Sequence, residues 1–157
     1  MHTCIAEDHA VLEAVTRLGQ RTLWARMLKL QATTLEQVWD SLEDYAQDEW
    51  RTPDELSAHL RGWLDRHDPI AAPSLGSTAG RYLGYGHGGL VRRPLTGGWQ
   101  GQGAPGYRTA AALLGPREAV LADPDGAVDA VLRRHLSAYG PASRHDVACR
   151  PRAIHRR

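Results

Sequence analysis

Apolar positions recur along this chain with the 3.6-residue period of amphipathic helices, and the helical stretches are separated by recognisable caps and breaks. After Glu7 and Asp8, acids suited to the positive end of a helix dipole, Val11, Leu12, Val15 and Leu18 fall on one side of a helix. Gly19 predicts its end, and Leu23, Trp24, Met27, Leu28 and Leu30 predict a second helix. Thr33 or Thr34 caps a third, in which Leu35, Val38, Trp39, Leu42 and Tyr45 line one face and acids the other. Such a stripe marks a core-facing helix.

The strongest local signal is Thr52-Pro53-Asp54-Glu55, which joins an N-cap, a proline suited to the first turn and a glutamate placed to complete a capping box. Leu56, His59, Leu60, Trp63 and Leu64 then face inward, His59 as a core or boundary residue. Asp68-Pro69 ends this helix, because the residue before a proline is driven out of the α region. Ala71 to Leu75 is a loop, and Ser74 or Ser77 caps a helix expected over Thr78 to Gly86. That helix contains Gly80, Gly84 and Gly86, each less favourable than Ala by about 1 kcal/mol, so it needs tertiary support. Its glycines suit close approach of the backbone either to a neighbouring helix or to phosphate. Leu90 to Arg93 reads as a strand ended by Pro94, Thr96 to Gly106 as a glycine-rich tip, and Tyr107 to Thr109 as a returning strand.

Period-2 character is otherwise confined to Met1–Ala6, a short candidate strand. Ala110 to Asp123 holds a short helix or loop around Leu113, Leu114, Val120 and Leu121. Asp123-Pro124 opens a further helix with a stripe of Val128, Val131, Leu132, Leu136 and Tyr139, stopped by Gly140-Pro141. Ser143 reads as a new cap. The predicted class is mainly α with a small β wing: a winged helix-turn-helix with supporting helices. The expected organisation is an N-terminal strand and supporting helices over 1–50 and the winged helix over 51–110. A linker and the start of a following winged-helix module come next, over 111–148, and a disordered basic tail over 149–157.

Composition narrows the function. With 157 residues and 42% apolar content, the chain has room for a core, built without phenylalanine. Net charge is only +1, but its distribution is uneven. Glu36, Asp40, Glu43, Asp44, Asp48, Glu49, Asp54, Glu55, Asp65 and Asp68 crowd one stretch that holds three arginines. From Arg81 to Arg108 there are Arg81, Arg92, Arg93, Arg108 and His87, and no acid. That asymmetry would present an anionic partner with one face. Cys4 and Cys149 are isolated thiols that fit no zinc spacing and no disulfide framework, so a reducing, cytoplasmic setting is the expectation. No apolar run approaches the roughly 20 residues of a membrane span, and the start lacks the pattern of a signal peptide.

Searching for reaction chemistry yields little. The eight histidines are scattered and form no HExxH or Cys/His cluster, so no metal is expected. Gly84-Tyr85-Gly86-His87-Gly88-Gly89 lacks the leading strand and following βαβ unit of a dinucleotide cradle, and no cofactor is implied. Asp44 with Asp48, or Glu13 with a neighbour, read as solvated carboxylates on acidic helix faces. Trp39, Trp50 and Trp63 have the helical spacing of buried residues.

Four stretches carry a resemblance to a known family. MHTCIAEDH is similar to the "T-[LM]-H-x-V-x-A-E-D" stretch of a bacterial family of tandem winged-helix proteins. TPDELSAHL is similar to its "LTRAELAxxL", GLVRRP to its "GLVxRGP" wing strand, and LRRHLSAYGPAS to its "LxRRYLxAYGPATPxDFA", where a further winged helix begins. Members include DNA glycosylases that remove alkylated bases and interstrand crosslinks; others are known only as DNA-binding proteins. The resemblance runs from Met1 to Ala148, and AYGPA is its most specific part. The family's catalytic Gln-x-Gln or Gln-x-Asp motif precedes the TxH stretch at which this chain starts. Gln100-Gly101-Gln102 has the letters but lies in the wing tip, so the motif is not carried over. The resemblance therefore implies an internal fragment, whose reading frame departs from the family near Cys149, with no catalytic residue.

What it implies is double-stranded DNA binding. The second helix of such a motif enters the major groove, which assigns base-edge contacts to Ser77, Thr78, Arg81 and Tyr85, with Tyr82 on or near the same surface. Phosphate contacts fall to Arg92, Arg93 and Arg108. Three to five such contacts predict a salt slope of roughly −3 to −4.5. A structural or interaction remnant, and a retained glycosylase activity, are the alternative outcomes.

Overall fold

The computed structural model describes residues 4–76, 86–96, 103–141 and 143. The chain separates into two compact units, one of residues 1–19 with 117–157, the other of residues 20–116. Among the described residues it is mainly helical with one two-stranded antiparallel sheet. The expected second helix of the motif, at 78–86, lies almost wholly outside them, as do Met1–Thr3 of the expected N-terminal strand.

Helix α1 runs unbroken from Ala6 to Met27. The expected break at Gly19 is not there. One exposed glycine is less favourable than alanine by about 1 kcal/mol. Extending a helix already nucleated on both sides gains a hydrogen bond for every residue fixed, which outweighs that deficit. Cys4 and Ile5 lead directly into the helix, with the Asp8 N–H donating to the Ile5 carbonyl at 3.1 Å, so no strand reaches those two residues.

In the unit of residues 20–116, Trp24 and Leu28 close the first wall of the core. Helix α2 (Leu35–Tyr45) starts at Thr34, whose hydroxyl accepts from the Gln37 N–H while the Gln37 side chain accepts from the Thr34 N–H. The cap is Thr34, one of the two residues the sequence offered, and the reciprocal bond from Gln37 completes a box the sequence reading did not include. Helix α3 (Pro53–His67) carries the capping box of Thr52 and Glu55 in the expected form. Leu35, Val38, Trp39 and Leu42 from α2 meet Leu56, Leu60 and Leu64 from α3. Each such fully buried side chain contributes about 1.5–3 kcal/mol.

Asp68 does more than end α3. It is buried, and its Oδ2 accepts from the backbone N–H groups of Gln31, Ala32 and Thr33 at 2.7, 2.9 and 3.2 Å and from the Thr33 hydroxyl at 3.1 Å. Its Oδ1 accepts from the Ala71 N–H at 3.2 Å. Burial pushes this carboxyl up, but the backbone donors at Gln31, Ala32, Ala71 and Thr33 overcome it and hold the pKa at about 2. One side chain thereby ties the loop before α2 to the 3-10 turn Ala72–Ser74 that follows α3.

The wing is an antiparallel hairpin of β1 (Leu90–Pro94) and β2 (Pro105–Thr109). It pairs Leu90 with Thr109, Val91 with Arg108, Arg92 with Tyr107 and Arg93 with Gly106. Both strands reach one or two residues further toward the tip than the sequence indicated, ending in a Pro94–Pro105 pair. A third element joins on the free edge of β2, where Arg51 and Tyr107 exchange N–H···O bonds of 2.8 Å in both directions. The wing is thus stitched to the connection between α2 and α3. Helix α4 (Ala110–Leu114) follows β2 directly.

The other unit contains the first turns of α1, the short helix α5 (Glu118–Leu121) and α6 (Pro124–Tyr139). Asp123 caps α6 by accepting from the Gly126 N–H at 2.9 Å, as its place before Pro124 indicates. The expected apolar stripe is only partly covered: Val128, Val131 and Leu132 are half-buried, Leu136 is 42% exposed and Tyr139 71%.

Candidate nucleic-acid interface

Alternation along a strand decides which way each wing residue points. Directly paired residues share a face, so Val91, Arg93, Gly106 and Arg108 lie on one side of the hairpin and Leu90, Arg92, Tyr107 and Thr109 on the other. The bridge at Arg51 extends the pattern: Arg51 joins the Tyr107 side, and its neighbour Trp50 joins the Arg93–Arg108 side. Leu90, Tyr107 and Thr109 are buried, so theirs is the face laid on the core. The outer face presents Arg93, Arg108 and Trp50.

Of the seven residues assigned to DNA from sequence, Ser77, Thr78, Arg81 and Tyr85 lie outside the described residues. The hairpin brings Arg93 and Arg108 together and turns Arg92 to the opposite side. Arg93 is exposed, with its guanidinium carbon 4.0 Å above the Trp50 ring centroid. Arg108 is half-buried, and its Nε donates to the Gln47 carbonyl at 3.0 Å. Arg92 is exposed at the rim of the inner face, beside Tyr107. Burial pushes the Tyr107 hydroxyl up, an effect the charge and hydrogen bond of Arg92 partly offset. Among the described residues no carboxylate pairs with Arg93 or Arg108.

Arg51 is a cation that the sequence did not single out. It is taken up internally: its Nε donates to the Tyr45 carbonyl at 3.0 Å, its guanidinium covers the Tyr45 ring at 4.3 Å, and Nη1 pairs with Glu49 at 2.9 Å. Trp50 was missed as well, because helical spacing implied burial. Its place directly before the Arg51-Thr52-Pro53 cap was the available signal that it belongs to a connection instead.

The glycine-rich run before β1 serves packing where it is described. Gly86 lies against the Trp24 indole, where an added Cβ would be 3.6 Å from Nε1. Gly88 has φ +90°, a conformation that favours glycine. His87 is completely buried, stacked on Trp39 with centroids 5.4 Å apart and planes 11° from parallel, and its Nε2 lies 3.0 Å from Glu43 Oε1. This pair fixes the entry to β1 on α2. A Cβ at Gly89 would collide with the Glu43 carboxylate and sit 2.6 Å from His87 Nε2, so that position requires glycine.

A second charged cluster lies in the other unit. Glu13, expected on a solvated face, is 2% exposed. It accepts from Arg17 Nε and Nη2 at 2.9 and 2.7 Å and pairs with Arg117 Nε at 2.6 Å. His9 Nδ1 is 3.7 Å away. Burial lowers the His9 pKa, Glu13 opposes that, and Arg117 adds to it. The i,i+4 spacing of Glu13 and Arg17 was visible in the sequence; the distant Arg117 that completes the cluster was not.

No helix among the described residues is long and apolar enough to cross a membrane. No curated protein and no solved structure matches the chain. A family model described as DNA glycosylase AlkZ-like matches residues 1–149 of the 157, and the chain belongs to that family.

Proposed function

We propose that this chain binds double-stranded DNA through its wing, with the backbone phosphates held by Arg93 and Arg108 on the outer face and by Arg92 at the rim. The observation that carries the reading is the pairing of Arg93 and Arg108 on one side of the hairpin, unopposed by any described carboxylate. Membership of a DNA glycosylase family supports DNA as the partner. The helix expected at Thr78–Gly86 would supply the base contacts through Ser77, Thr78, Arg81 and Tyr85, and the wing would fix its register on the duplex.

Direct binding tests this. Anisotropy of a labelled duplex, titrated with the full chain over a salt series, is expected to give log K falling linearly with log salt. Three wing arginines alone correspond to a slope of about −2.7. Arg93→Ala and Arg108→Ala are each expected to flatten it by about 0.9. Absent or salt-independent binding by the folded chain overturns the proposal and leaves the reading of a protein-interaction module, which light scattering after size exclusion would detect as a stable oligomer.

A further inference from the structure

Trp50 stands outside every role assigned so far. It is half-buried on the outer face of the wing, and one side of its indole is covered by the Arg93 guanidinium at 4.0 Å. An arginine on an exposed strand carries rotamer freedom that it must give up to hold a phosphate, and a planar guanidinium laid on an aromatic face has already given up much of it. A guanidinium that lies face-on against an aromatic ring keeps its N–H edge, the part that recognises phosphate, open to a partner.

The backbone ties Trp50 to the wing. Trp50 is held by its neighbour Arg51, whose two backbone bonds to Tyr107 are both 2.8 Å. Arg93 stands opposite Gly106, over which the Leu95 side chain packs. Arg108 shares the same face and is anchored differently, through Nε to the Gln47 carbonyl, so both outer arginines are restrained by the one connection between α2 and α3.

We infer that Trp50 is a positioning residue for phosphate recognition: it holds Arg93 flat, so that with Arg108 it grips the DNA backbone as a preset pair of guanidinium edges. The inference rests on the DNA-binding reading above. It also assigns the two outer arginines a shared orientation, in contrast to Arg92 on the opposite side.

A double-mutant cycle on the full chain tests it, using anisotropy with a labelled mixed-sequence duplex. Trp50→Ala is expected to weaken binding about threefold, the worth of an exposed cation–π contact, without removing a phosphate charge from the salt slope. Arg93→Ala is expected to weaken binding about tenfold and to flatten the slope by about 0.9. In the Arg93→Ala background, Trp50→Ala should then change nothing. Arg93→Lys keeps the charge but loses the planar stack; it should match Trp50→Ala in affinity and leave the slope intact. Because Arg93 is exposed, that variant reports even if Trp50→Ala unfolds, and Trp50→Phe should retain most of the wild-type affinity. If Trp50→Ala weakens binding equally with and without Arg93, the indole touches DNA itself and the positioning role is overturned. If Trp50→Ala and Arg93→Lys are both silent while Arg93→Ala is not, the role is likewise overturned. Absence of wild-type binding overturns the DNA reading itself, an outcome distinct from either of these.

Discussion

Glu43→Ala and Glu43→Gln separate what the Glu43 carboxylate does for His87. A carboxylate only accepts, so His87 Nε2 carries the ring proton and donates across the 3.0 Å gap. His87 is completely buried, and among the described residues Nδ1 has no hydrogen-bond partner. Removing the acceptor therefore leaves a buried N–H unpaired, a cost of about 1–3 kcal/mol. Gln keeps an acceptor oxygen at similar reach and loses only the charge assistance, a difference of about 1 kcal/mol. For a cooperative unit of this size, 1 kcal/mol corresponds to roughly 4–8 °C in the melting midpoint. Taking the middle of the range, Glu43→Ala should lower the midpoint by roughly 8–16 °C and Glu43→Gln by about half as much, followed by far-UV circular dichroism. Binding to duplex measured well below the midpoint should weaken in the same order, since the pair fixes the entry to β1. Equal losses for the two variants would show that charge, not the acceptor, holds His87. A change within 1 °C for Glu43→Ala would refute the reasoning about the buried donor.

Three further outcomes follow from the geometry. Because the Asp68 pKa is depressed from 3.8 to about 2 in the folded state, its contribution to stability is complete above pH 3.8 and disappears as pH falls through about 2. Denaturant midpoints across that window should fall in the wild type and show a shallower slope in Asp68→Asn. Gly89→Ala forces a methyl against the Glu43–His87 pair and should destabilise by about 1–3 kcal/mol in a urea titration, as overpacking does. Glu13→Ala leaves Arg17 and Arg117 without their buried counter-charge and should cost about 3–5 kcal/mol, visible as faster hydrogen exchange in α6 and the first turns of α1.

What the sequence revealed and what it hid follow from the range of the interactions involved. The box at Thr52, the caps at Thr34 and Asp123 and the hairpin between Leu90 and Thr109 are set by residues close in sequence, so their letters suffice. Gly19 misled because a local propensity of about 1 kcal/mol was weighed without the helix on both sides of it. Asp68 was legible as a helix stop but not as the acceptor for Gln31 to Thr33, because those donors lie 35 to 37 positions away. Glu13 is the same case, its environment completed by Arg117. At the candidate interface, the arginines could be counted from composition, but their sorting onto two faces required the register. A one-residue slip would have placed Arg92 outside and Arg93 inside.

Of the acids that crowd α2 and its exit, three are engaged within the fold. Glu49 is paired with Arg51, Glu43 with His87, and Glu55 with the Thr52 cap, where the backbone hydrogen bond holds its carboxyl below the usual range. Each of these contacts engages a carboxylate locally, and none involves Arg93 or Arg108. Arg51 is essential to that arrangement: by neutralising Glu49 while its backbone pairs with Tyr107, it allows an acidic connection to run beside the wing without drawing the outer guanidiniums toward it. Among the described residues Asp48 has no ion pair, so Asp48→Asn should tighten duplex binding modestly and only at low salt, where the Debye length is long enough for it to be felt.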